Sequence, residues 1–211
     1  MGRLFSYDAP VSRFLNRLGD LMILSLLWIG LSLPVVTMGA ATAALYSAAA
    51  QLHRGSSHGG RAFLTSFRAL LRPATLFWVP MLLWGGLLLV NLWVIPALEE
   101  PAKGMCLGLT LVLCLLWLIL VSYGLPMLAV RQASFGALFR DALVLAVSHP
   151  LHTAAVLLSN LFPLLFLLLA PVWFFRLLVL WPVLGIGGIA YCNTLHLSKL
   201  LPFPSGRDLE A

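Results

Sequence analysis

Charge is what this sequence has least of. Only 9% of its 211 residues are charged, seven acidic against thirteen basic, where a soluble domain carries about a quarter. With 61% of residues hydrophobic and a mean hydropathy of +1.00, the chain has too little polar surface to face water. It reads as an all-α integral membrane protein. No stretch is polar enough to stand apart as a soluble unit, so residues 1–211 are read as a single membrane domain.

The other scarcities exclude chemistry. None of the seven carboxylates falls in the middle of an apolar stretch, which leaves no obvious group for proton or sodium coupling. An enzyme would need clustered acids, nucleophiles or metal ligands, and the reading is that the chain is not one and needs no cofactor. A Walker A lysine motif is lacking, so ATP hydrolysis in this chain is not expected. The three cysteines, Cys106, Cys114 and Cys192, lie in apolar stretches without C-x-x-C spacing; they read as small apolar residues rather than a disulfide framework. The net charge of +6 comes from basic residues placed between apolar stretches, where they meet anionic head groups rather than nucleic acid. "SAAAQ" at 47–51 has an A-x-A look, but a leader that long exceeds the usual range of about 15–30 residues, so the first apolar segment is expected to stay as an anchor.

Long hydrophobic runs are what the sequence has in plenty. Leu21 to Ala50 is a thirty-residue run without formal charge, too long for one crossing of about twenty residues and short for two. Further apolar stretches cover 74–98, 104–130, 151–170 and 172–197. The segment from Gln51 to Pro73 carries Arg54, Arg61, Arg68 and Arg72 without an acid, whereas "ALEEPAKG" at 97–104 holds Glu99 and Glu100 against Lys103. The first is therefore inside and the second outside. The amino terminus, with Arg3, Arg13 and Arg17 against Asp8 and Asp20, also favours the inside. An even number of crossings must then precede Arg54, and "SLPVV" around Pro34 reads as a tight outside turn with Pro34 in the first turn of the second helix.

This predicts six transmembrane helices, at about 14–33, 35–52, 74–98, 104–130, 151–170 and 172–197, arranged as three helix pairs. The alternative is five, with the first run as one kinked, tilted helix. Both termini are placed in the cytoplasm, and the chain in the cell membrane as a multi-pass protein. Pro80, Pro96, Pro126 and Pro163 lie within spans and read as tolerated kinks.

Two cytoplasmic interfacial amphipathic helices are expected to join the pairs, at about 61–72 and 134–148. In "RAFLTSFRALLR", Arg61, Thr65, Arg68 and Arg72 share one stripe and Phe63, Phe67, Leu70 and Leu71 lie opposite, which predicts aromatic residues in lipid and arginines at phosphates. Phe135-x3-Phe139-Arg140 repeats the grammar of Phe63-x3-Phe67-Arg68, and each precedes a proline, Pro150 or Pro73. Arg61, Arg68, Arg72 and Arg140 are accordingly the candidate contacts to lipid or a partner.

"TMGAATAALYSAAAQL" is rich in small residues, and small residues let helices in lipid approach closely. Gly39, Ala40, Ala43, Ala44 and Ala48 are read as a packing surface; Thr37, Thr42 and Ser47 are the groups that would line a permeation path. The five histidines, His53, His58, His149, His152 and His196, all fall on the predicted inside and read as interfacial polar residues rather than metal ligands.

These stretches carry a family resemblance. "LFSYDAPVSRFLNRLGDLMILSLLWIGLSLPVVTMGAATAALY", with "FLTSFRALLRPA" and "VSYGLPMLAV", resembles the YesL-like family of small bacterial integral membrane proteins, a domain of unknown function. Its most specific parts are Tyr7-Asp8-x-Pro10, Phe14-Leu15-Asn16 and Leu33-Pro34-x2-Thr37-x-Gly39-Ala40-x-Thr42-Ala43-Ala44-Leu45-Tyr46. Members often accompany sugar-uptake ABC systems, so the resemblance implies an accessory role in carbohydrate transport. It brings no catalytic or ligand residues with it, and "RGSSHGGRAF" departs from it by having no acid. The expectation is a noncatalytic bundle that partners a carbohydrate-uptake ABC transport system; the alternative is a small permease or channel in its own right.

Overall fold

The computed structural model describes residues 10–53, 59–130, 133–176 and 185–197, all of its regular structure helical. Its first helices are α1 (Pro10–Ser32) and α2 (Met38–His53). Between them the Thr37 amide donates to the Pro34 carbonyl at 2.9 Å, and the Thr37 hydroxyl lies 2.6 Å from the Leu31 carbonyl and 2.8 Å from that of Pro34. One side chain thus reaches the Leu31 carbonyl, which the end of α1 leaves without a helical partner. Pro34 belongs to this turn and not to the first turn of α2. The Trp28 indole N–H donates to Thr42 Oγ1 at 3.1 Å, tying α1 to α2 as they double back. The uncharged run is a helical hairpin, not one kinked helix.

The next element corrects the expected division at Pro73. Rather than an interfacial helix at 61–72 followed by a span at 74–98, α3 runs unbroken from Gly59 to Val94 with Pro73 and Pro80 inside it, then tightens into a 3-10 turn at Ile95–Ala97 that holds Pro96. The physical reason lies in the buried positions. Phe63, Ser66, Leu70, Ala74, Phe77 and Met81 are buried at steps of three or four, so one packed stripe passes through Pro73 without changing face. Continuous burial offsets the single backbone hydrogen bond that a proline removes. The same stripe overturns the expectation that the aromatics of 61–72 enter lipid: Phe63 is fully buried within the protein, and α3 packs chiefly on α2.

α4 (Ala102–Val130) returns through Pro126, and α5 (Phe135–Ser148) follows, packed on α4 through Leu138, Ala142 and Ala146. Here the proline does break the chain. His149, with φ −132° and ψ 67°, separates α5 from α6 (Pro150–Leu169), as expected for a residue before proline, which is pushed out of helical geometry. Pro150 cannot donate to the Ala146 carbonyl; the Thr153 hydroxyl lies 3.0 Å from that oxygen instead, and 2.8 Å from Tyr123 Oη.

Ala170 ends α6, α7 covers Pro171–Arg176, and α8 covers Ile186–Leu197. The span expected at 172–197 is therefore described only at its two ends, in α7 and α8.

Among the described residues, three helical stretches are long and apolar enough to cross a membrane: Gly59–Ala97, Ala102–Val130 and Pro150–Leu169. They suggest a membrane protein. By contrast α2 has 16 residues, about 24 Å at 1.5 Å per residue, less than the roughly 30 Å of a hydrocarbon core.

Candidate functional site

α2 is the axis of the bundle. It packs against α1, α3, α4 and α8, and Ala40, Ala43, Ala44 and Ala48 have no exposed surface. Gly39 marks the tightest crossing: a Cβ there would come within 2.5 Å of the Trp78 Cβ on α3. Small side chains allow four neighbours to close on one helix, and close packing is the main attraction between helices in lipid. The packing residues read from the sequence thus come together around this helix.

The polar groups considered for a path are paired inside the protein. Thr37 closes the α1–α2 turn; Thr42 donates to the Met38 carbonyl at 2.8 Å while accepting from Trp28; Ser47 Oγ lies 2.9 Å from Ser66 Oγ on α3. Tyr46, on the same helix, enters a larger network. The Asn193 amide on α8 donates to Tyr46 Oη at 3.1 Å and to Asn160 Oδ1 on α6 at 2.9 Å, and its oxygen accepts from Ser159 at 2.6 Å. Asn160 in turn donates to Ser122 Oγ on α4 at 3.0 Å. Four helices are stitched by one chain of hydrogen bonds around a fully buried asparagine.

Sequence reasoning missed this network. The available signal was two asparagines, Asn160 and Asn193, inside apolar stretches; an amide costs too much there unless it is paired, so each implies a partner. Their pairing with each other is invisible at a separation of 33 residues.

The arginines lie on the outside of the bundle. Arg61, Arg68 and Arg72 are exposed on the N-terminal half of α3, on one stripe opposite Phe63 and Leu70. Arg140 is exposed on α5, its Nε 3.4 Å from Asp141 Oδ1. The two arginine groups occupy different elements, α3 and α5, which meet through Phe77 and Phe135 with ring centroids 5.5 Å apart.

Three of the histidines are brought into a row: the ring centroids of His149 and His152 lie 6.0 Å apart, and those of His152 and His196 lie 6.1 Å apart. His53 instead packs edge-on to Tyr191 at 5.9 Å, and His58 lies outside the described residues. Among the described residues no group of three or more His, Cys, Asp or Glu is arranged to hold a metal ion. All three cysteines are free.

No curated protein and no solved structure matches the chain. A family model does, over residues 21–92, with the description "Protein of unknown function, DUF624". That stretch contains the apolar part of α1, all of α2 and α3 as far as Leu92. Residues 21–92 thus match a domain family of unknown function, and membership of the YesL-like family is consistent with that match.

Proposed function

We propose that this protein is a noncatalytic membrane bundle that serves as an accessory or interaction partner of a carbohydrate-uptake ABC transport system. In this reading the chain crosses the cell membrane six times, both termini and the arginines at 61, 68, 72 and 140 are cytoplasmic, and the partner is engaged through the inner amphipathic surface and the apolar outer faces. The observation that carries the reading is the filling of the bundle axis. α2 is enclosed by four helices, and Thr42, Tyr46 and Ser47 spend their hydrogen bonds on Trp28, Asn193 and Ser66. A packed axis suits a scaffold better than a conduit. The carbohydrate system itself comes from the family resemblance alone.

The permease reading draws support from a different feature, the polar chain from Ser122 through Asn160 and Asn193 to Tyr46. Intramembrane polar groups often mark a substrate route, but here they bond to one another.

Reconstitution separates the two. The purified protein in liposomes should move no sugar, and loss of the gene product should lower uptake only where the ABC system is present. Reversing Arg61, Arg68 and Arg72 to Glu should weaken that effect without unfolding the bundle, since each basic residue near an anionic leaflet contributes about 1 kcal/mol. Saturable sugar flux by the protein alone would overturn the accessory reading and favour the permease.

A further inference from the structure

The α3–α4 hairpin reaches well past the α1–α2 turn. The Trp78 indole N–H donates to the Val35 carbonyl in the α1–α2 turn at 2.8 Å, yet α3 continues from there to Val94, a further 24 Å or so at 1.5 Å per residue. Along that extension α3 and α4 leave a groove of about 530 Å³, walled by Trp78, Leu82 and Leu89 on one side and Cys114 and Trp117 on the other, with Gly86 between.

We propose that this groove is the seat of one acyl chain of a bilayer phospholipid. Its chemistry is the first argument. Both tryptophans have spent their only donors on backbone, Trp78 on Val35 and Trp117 on the Met81 carbonyl at 2.7 Å, so the rings offer faces alone. A sugar, for which paired tryptophans would otherwise suggest a stacking site, would give up its hydrogen bonds with water and find no replacement. A hydrocarbon chain loses nothing by entering.

The dimensions are the second argument. From Trp78 to Leu92 the groove follows α3 for about 21 Å, comparable with the roughly 15 Å depth of half a hydrocarbon core. A volume of about 530 Å³ spread over that length has a mean cross-section of about 25 Å², the girth of a single hydrocarbon chain and much less than a helix about 10 Å across. The third is continuity. The groove opens between two of the helices apolar enough to cross a membrane, beside outward faces that hold Leu87 and Val112, 63% and 64% exposed, so hydrocarbon already lies at its mouth.

Two adjacent glycines make the groove. A Cβ at Gly85 would meet the Trp117 ring at 3.0 Å, whereas one at Gly86 would meet nothing within 4 Å. Gly85 lets the ring sit close, and Gly86 leaves the space above it empty. A side chain at position 86 therefore begins in the open space of the groove.

The test uses the full chain in phosphatidylethanolamine–phosphatidylglycerol vesicles with a trace of phospholipid bearing a mid-chain diazirine. After illumination, adducts are mapped by peptide mass spectrometry. The expected result is adduct yield on the Trp78, Leu89 and Cys114 peptides at least tenfold above that at Val112. Gly86→Leu should abolish that excess, and Gly108→Leu, an equally open position on α4 outside the groove, should leave it intact. Leu89→Trp fills the groove from the next turn of the same helix and serves if Gly86→Leu does not fold. Equal labelling of groove and outer face, or labelling indifferent to Gly86→Leu, would mean ordinary bilayer contact and overturn the proposal. So would labelling that is present in vesicles but absent in native membranes, which would give the groove to another protein.

Discussion

Trp78 on α3 donates its indole N–H to the carbonyl of Val35 at 2.8 Å, across 43 residues of sequence, while its Cβ closes on Gly39. One side chain thereby fixes both the height of the α1–α2 turn along α3 and the closeness of α2 to α3. The remaining consequences of that packing can be measured.

Ala44 has no exposed surface and sits where α2 is enclosed on every side. Ala44→Leu adds three carbons to a filled site, and overpacking of this kind costs about 1–3 kcal/mol. Thermal unfolding in mild detergent should occur at a lower temperature than for the parent. An unchanged midpoint would mean that this face has room that the packing does not show.

Asn193 holds three partners at once, Tyr46, Ser159 and Asn160. Asn193→Ala leaves buried polar groups unpaired, at a cost of about 1–3 kcal/mol. Tyr46→Phe removes one hydrogen bond and should cost less, near the average of about 0.6 kcal/mol measured between membrane helices. Because the two residues share a bond, the double variant should be destabilised by less than the sum of the singles; strict additivity in a denaturation cycle would argue that the network is not coupled.

Thr153 stands in for the amide that Pro150 lacks, lying 3.0 Å from the Ala146 carbonyl. Thr153→Val should destabilise the α5–α6 junction by about 1–3 kcal/mol, since it strands that carbonyl and Tyr123 Oη. Adding Pro150→Ala restores an amide at the vacant position and should recover part of the loss. If the pair is no more stable than Thr153→Val alone, the hydroxyl is not acting as the substitute donor.

Topology can be read by thiol labelling in a chain freed of Cys106, Cys114 and Cys192. Cysteines introduced at Glu99 and Trp173 should react with an impermeant reagent from outside, and those at Arg3, Arg61 and Arg140 only after permeabilisation. Reaction at position 3 from outside would remove one crossing from the first half of the chain and leave the second half as proposed.

Much of this architecture was legible because it rests on local periodicity. The arginine stripe of 61–72 and the buried face opposite it follow from 100° per residue, and the small residues from Gly39 to Ala48 announce a close-packed helix wherever their neighbours come from. The hairpin at Pro34 was legible too, from length and charge balance together. What failed was the treatment of prolines one at a time. Pro73 and Pro150 look alike in sequence, each after a Phe-x3-Phe-Arg segment, yet the helix passes through the first and breaks at the second.

The sequence by itself determined that the chain is helical and apolar enough for a membrane, because spans, stripes and small-residue faces are properties of consecutive residues. Only the tertiary structure decided which stripe meets which. Whether Pro73 is tolerated depends on α3 docking on α2, where Ser66 meets Ser47, and on Phe77 meeting Gly124 of α4 and Phe135 of α5; whether Asn193 is affordable depends on Asn160, Tyr46 and Ser159 arriving from two other helices. Contacts of that kind join residues far apart in the chain, and their energy exists only once the helices have docked.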